Sequence, residues 1–311
     1  MLFRSVSQSR YHHTNSLWYY QVDAAHPNRT GYLIWKNEIR SALSAQGVLP
    51  DRVGSSNPLA PSGGQTVLFD FGPADVTNGE ATLTADERGR VWNNWHVIKG
   101  GDTVVAGERK SDLVDSSGNP TGLSLTITGD FQANGKLNGG LTNLPSLGLG
   151  NLGTLTAAQD YFYSTGDALV GGGSDNASGG LRISGLNPSL VYDVRFLASR
   201  SVASTRQTRF EVYGASSNSI ALQSSGAGIG VNRGDGNDQT LATVASVRPN
   251  AYGDIFIDVS ALSQANSGDV VAYLNAMEIR VVSPYESWAR SRGLTPGVNN
   301  ALVSSNLETL S

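Results

Sequence analysis

From Gln65 onward, apolar and polar residues alternate with a period of two through much of the chain. Val67, Phe69 and Phe71 fall on one side of an extended segment, and Leu123, Leu125 and Ile127 alternate with Ser124, Thr126 and Thr128. Tyr192, Val194 and Phe196 alternate with Asp193 and Arg195 in the same way. Successive side chains of a strand point to opposite faces, so each run predicts a half-buried strand. Further strands are expected at 181–184, 207–213, 218–223, 239–244, 254–259 and 270–282. Turn signals separate them, among them Ser117-Gly118-Asn119-Pro120, Gly214 and the stretch 250–253. Leu186-Asn187-Pro188-Ser189 reads as the corner where the chain crosses between sheets. Many short strands with polar turns and no intervening helices predict one β-sandwich over residues 65–283.

Other zones follow other patterns. Tyr32, Trp35, Ile39, Ala42 and Leu43 recur at three- and four-residue spacing, which predicts an amphipathic helix. Asn28 or Thr30 can cap its start and Gly47 can end it. Residues 16–22 read equally as a buried strand or an irregular loop. Residues 49–64 are rich in Pro, Gly, Ser and Asn and read as a linker. After Pro284, residues 285–292 can make two helical turns, ended by Gly293 to Gly297, and the rest of the 284–311 tail is expected to fray.

Composition narrows the possibilities. The 311 residues include 37 glycines, 11 prolines and only 15% charged residues, which favours strands and turns. A net charge of −4 with no basic run leaves no electrostatic footprint for nucleic acid or an anionic membrane. No cysteine is present, so disulfides and thiolate metal sites are excluded. No stretch approaches the roughly 18 apolar residues of a membrane span, and the first residues lack the apolar core of a signal peptide. Leu2-Phe3-Arg4-Ser5 is what the end of a common short-read sequencing adapter encodes in one frame. Either Met1 is a native start and the match is chance, or, as expected here, the chain is the tail of a longer gene product that lacks its N-terminal catalytic portion.

Catalytic chemistry concentrates before the linker. Asp23-Ala24-Ala25-His26-Pro27-Asn28, followed by Gly31-Tyr32 at the start of a helix, resembles the last conserved block of the SGNH (GDSL-type) ester hydrolases. The resemblance covers residues 16–46 and implies that residues 1–48 are the C-terminal remnant of an α/β hydrolase domain. It also implies His26 as general base and Asp23 as the carboxylate that orients it. A three-residue spacing in a tight loop lets a carboxylate reach imidazole Nδ1 while Nε2 stays free. Asp23 as a helix-capping carboxylate and His26 as a plain loop histidine is the competing reading. The family's Gly-Asp-Ser nucleophile triplet is absent from all 311 residues, so the chain alone is expected to be inactive. His12-His13 on an extended segment point to opposite sides and do not share one ion. The glycine-rich stretches 171–180 and 225–238 lack a following Gly-Lys-Ser/Thr and read as exposed loops.

Within 65–283, Phe69-Asp70-Phe71-Gly72, Trp92-Asn93-Asn94, Leu113 to Asn119, Ser199-Arg200, Thr208-Arg209-Phe210 and Tyr273 to Ile279 resemble galactose-binding-like jelly rolls. Such domains accompany bacterial polysaccharide-active enzymes. The resemblance implies a mainly β, jelly-roll-like accessory module directed at a polysaccharide or acylated glycan, in a secreted or cell-surface setting. Sugars are held by an aromatic ring stacked on the pyranose, with amides or guanidinium groups aimed at hydroxyls. Trp92, Asn93, Asn94, Trp95, Arg200 and Arg209 offer that chemistry, and Trp92 and Tyr273 serve equally well as core residues. Asp70, Asp115 and Asp258 are candidates for a structural calcium ion, though no tight Asp/Asn spacing compels one, and no other cofactor is expected. The alternative is a non-catalytic interaction module, or surface adhesin, that binds no sugar.

Overall fold

The computed structural model describes residues 65–166, 178–231, 233–262 and 270–295. The chain divides into two compact units, Met1–Val53 and Gly54–Ser311, and all described residues belong to the second. The helix expected before Gly47 lies outside the described residues.

In chain order the strands are β1 (Thr66–Pro73), β2 (Asn93–Val97), β3 (Thr103–Val104), β4 (Arg109–Lys110), β5 (Ser124–Gly129), β6 (Phe131–Asn134), β7 (Tyr161–Ser164) and β8 (Gly179–Ser184). They continue with β9 (Tyr192–Leu197), β10 (Arg206–Tyr213), β11 (Ser217–Ser225), β12 (Ala242–Val247), β13 (Ile255–Leu262), β14 (Ala272–Leu274) and β15 (Ala276–Val281). One helix, α1 (Pro284–Ser291), follows, and three short 3-10 turns lie at Lys136–Asn138, Leu147–Leu152 and Thr156–Ala158.

Three sheets form the body: a five-stranded sheet β12-β9-β15-β1-β2, a six-stranded sheet β11-β10-β13-β8-β5-β4 and a four-stranded sheet β14-β7-β6-β3. The β1–β2 pair is parallel, with Phe69 opposite Asn93 and Phe71 opposite Trp95. The alternating apolar residues of the first two sheets meet in one core, from Phe69, Phe71 and Ile279 to Phe210, Ile257 and Leu181. The mainly β sandwich expected from the alternation is therefore present.

Three differences from the sequence pattern matter. First, β1 is buried on both faces rather than one. On its second face Leu68, with Leu197 and Ala276, packs under Leu149 and Leu152 of a 3-10 turn and forms a second apolar cluster. Second, the expected strand 270–282 is two strands broken at Asn275. The side chain of Asn275 donates to the carbonyls of Ala158 and Asp160 and accepts from Ser199 N at 2.7 Å. Buried polar groups need such partners, and Asn275 supplies them where β14 and β15 leave for different sheets. Third, β2, β3, β4, β6 and β7 were not expected, because runs of two to five residues give too little period to count.

The α1 helix starts as its sequence prescribes. Ser283 accepts from Glu286 N at 3.1 Å and Glu286 accepts from Ser283 N at 3.0 Å, a reciprocal capping box with Pro284 in the first turn. Its last turn is tied to the sandwich by Arg290, which donates to Asp193 on β9 at 2.6 and 2.9 Å. Among the described residues no helix is long and apolar enough to cross a membrane.

Candidate functional site

The four-stranded sheet has an apolar face and a polar aromatic one. Phe131, Ala133, Phe162, Ala272 and Leu274 belong to the main core, which Tyr161 and Tyr273 also join and against which the partly buried Tyr163 packs. The alternate positions form two rows across the sheet. Thr103, Gln132, Tyr163 and Tyr273 are successive register partners, and Asn134 pairs with Tyr161. Paired residues of an antiparallel ladder share a face, so three tyrosines and two amides are brought together there.

Two guanidinium groups complete this arrangement. Arg200, in the loop after β9, donates through Nε to the Asn138 carbonyl at 2.7 Å and through Nη1 to the Tyr273 hydroxyl at 2.9 Å. Arg206, at the start of β10, donates to the same hydroxyl. Both guanidinium carbons stand 5.8 Å from the Tyr273 ring centroid, within cation–π range. Tyr161 packs edge-on against Tyr273 with centroids 5.1 Å apart, and its hydroxyl donates to the Asn138 carbonyl at 2.8 Å. Burial pushes the phenols of Tyr161 and Tyr163 up, against the lowering influence of Arg200. Tyr161 and Tyr273 are fully buried, whereas Tyr163 and Arg200 are half-buried and Gln132 and Asn138 are exposed. The surface thus offers one accessible ring edged by amides and an oriented guanidinium.

The residues singled out from the sequence for sugar binding are dispersed. Only Arg200 belongs to this face. Trp92 is buried in the second apolar cluster, where its indole N–H donates to Asp86 Oδ2 at 2.9 Å and Arg90 lies over its ring. Burial raises Asp86, but hydrogen bonds from Arg90 and Trp92 outweigh it and hold the carboxyl below the usual range. Trp95 is buried in the main core. Asn93 uses its amide on the backbone, donating to the Leu68 and Val114 carbonyls and accepting from Val114 N. Asn94 donates to the Thr82 carbonyl at 2.8 Å. Arg209 lies on β10, 3.3 Å from Ser219 Oγ and 3.3 Å from Glu211. Neither tryptophan presents a ring face to solvent, because both side chains were needed to fill apolar space beside β1. Tyr161 and Tyr163 were missed in sequence because Tyr-Phe-Tyr reads as an apolar run rather than an alternation.

One calcium ion held by Asp70, Asp115 and Asp258 does not fit. They stand on β1, in the turn after β4 and on β13, and Asp115 already accepts from Gln65, Ser117 N and Asn119. Among the described residues no group of three or more His, Cys, Asp or Glu is arranged to hold a metal ion. Asp23 and His26 lie outside the described residues.

No family model and no curated protein matches the sequence. Solved structures overlap half of the chain. A TmCBM61 structure in complex with β-1,4-galactotriose aligns at 15% identity and TM-score 0.27, over 50% of this chain and 88% of that one. The enzymatically active domain of bacteriophage CBA120 tailspike protein 4 aligns at 15% identity and TM-score 0.23, over 50% of this chain and 19% of that one. An exo-β-1,3-galactanase from Phanerochaete chrysosporium, solved with galactose, aligns at 12% identity and TM-score 0.22, over 53% of this chain and 35% of that one.

Proposed function

We propose that the sandwich is a glycan-binding module that takes a polysaccharide or acylated glycan on the tyrosine face of its four-stranded sheet. The observation that carries this reading is the half-buried Tyr163 ring, backed by Tyr161 and Tyr273 and flanked by Arg200. Sugar rings stack on aromatic faces, and their hydroxyls take hydrogen bonds from pre-oriented amide and guanidinium groups. Arg200, held at two points, loses little freedom on contacting a ligand. A secreted or cell-surface setting suits such a ligand.

The finer reading joins this module to an SGNH-type ester hydrolase. Its support is the Asp23/His26 string alone, and with no Gly-Asp-Ser triplet the chain is expected to leave p-nitrophenyl acetate unhydrolysed.

Affinity electrophoresis and a glycan array on the full chain test the binding reading. Retention by at least one polysaccharide, reduced tenfold or more by Tyr163→Ala and by Arg200→Ala, is the expected result. A clean negative over plant, algal and bacterial glycans removes it and favours an interaction module that binds no sugar.

A further inference from the structure

The face of β1 and β2 turned away from the main core carries a second polar group. Asp70 and Asn94 are register partners there, and Gly72 and His96 are the next such pair. Asp160, the residue before β7, reaches over them. Its carboxyl carbon lies 2.3 Å from where a Cβ on Gly72 would stand, and its Oδ2 lies 2.0 Å from where one on Gly79 would stand. Any larger residue at either position would displace the carboxyl group, so the two glycines make the slot that receives it.

Asp160 is fully buried, and neither of its oxygens has a hydrogen-bond partner of good geometry, its own backbone N–H and the Lys136 charge acting only weakly on it; Asp70 Oδ1 also lacks a donor. The charged and titratable groups facing the slot are Asp70 on β1, His96 on β2, Asp75 in the following loop and Lys136 in a 3-10 turn. His96 Nε2 is 3.4 Å from Asp70 Oδ2, and Lys136 directs its ammonium to the Val76 carbonyl at 2.8 Å. An ionised carboxylate without donors in a protein interior is strongly disfavoured, and a second carboxylate nearby disfavours it further. Burial first, and Asp70 second, raise the Asp160 carboxyl well above its usual range.

We propose that Asp160 is held as a neutral carboxylic acid in the folded protein, so that a proton, not a metal ion, satisfies the slot and makes it a pH-sensitive element of the sandwich. Asp70 Oδ1, on the same face and without a donor, is the acceptor available to it. The unfolded chain gives this proton up above pH ~3.9, whereas the folded protein keeps it to higher pH. Stability linked to Asp160 is therefore complete below pH ~3.9 and falls as pH rises, until the folded protein itself deprotonates.

The test compares urea unfolding of the wild-type chain and Asp160→Asn from pH 5 upward, with EDTA present. The variant is a neutral isostere and has no proton to lose. Relative to it, the wild-type folded-to-unfolded ratio is expected to fall about tenfold per pH unit, then level off. Equal pH slopes overturn the proposal. Carbon NMR of the wild-type chain labelled at aspartate carboxyls needs no variant. The expected result is an Asp160 carboxyl that titrates well above the exposed aspartates, and titration in the ordinary range overturns it. If millimolar calcium raises the wild-type unfolding midpoint and removes the pH slope, a cation fills the slot and the proposal fails.

Discussion

Phe196 on β9 and Phe210 on β10 stack across the sandwich, ring centroids 4.1 Å apart and planes 4° from parallel. They join the five-stranded to the six-stranded sheet, and both rings are fully buried. Replacing Phe210 with Ala removes that stack and leaves a cavity between sheets that cannot close without moving a strand. The expected loss is about 3–5 kcal/mol of unfolding free energy, measured by urea denaturation. A loss below about 1 kcal/mol would mean the two sheets do not depend on this contact.

Asp193 should govern acid stability. Burial alone would raise this carboxyl, but hydrogen bonds from Arg290 and Arg280 outweigh it and bring it down to about 2. A carboxyl depressed in the folded state contributes stability above its unfolded pKa, ~3.9, and loses it as pH falls toward the folded value. Asp193→Asn should therefore cost stability at neutral pH and flatten the dependence between pH ~4 and 2. Thermal unfolding across that range reads the change. Arg290→Ala should reproduce part of it and loosen the last turn of α1, while Glu286 keeps the first turn tied to Arg280 on β15.

Trp92 and Tyr163 should separate stability from binding. Trp92→Phe keeps a ring in the second apolar cluster but deprives Asp86 of the indole donor, for an expected cost of about 1–3 kcal/mol. It should leave polysaccharide retention unchanged. Tyr163→Ala, on a half-buried ring, should show the reverse: lost retention with a much smaller drop in unfolding midpoint. Retention lost in Trp92→Phe at a pH where that variant is fully folded would return the ligand to the β1–β2 side of the molecule.

Much of the sandwich was legible because its central strands are long enough to show their period. Val67 to Phe71, Leu123 to Thr128 and Tyr192 to Phe196 alternate over five or more residues, and each became a strand with its apolar set in the main core. The capping signal Ser283-Pro284-Tyr285-Glu286 was local in the same sense and marks the start of α1. Leu68 shows where period fails: an apolar residue on the polar side of β1 has meaning only once Leu149 and Leu152 cover it.

What the sequence determined by itself is the central strands, the start of α1 and the mainly β class of fold, because alternation, turn residues and caps act between near neighbours. Which side chains share a face was decided only in three dimensions. Trp92 and Trp95 had the composition of a sugar platform, yet packing beside β1 consumed both. Arg200 came to Tyr273 across 73 residues, and Asp160 to Gly72 across 88, the positions being 160 and 72. Such encounters depend on strand order and register, set by the joint burial of many apolar surfaces, and no local pattern encodes them.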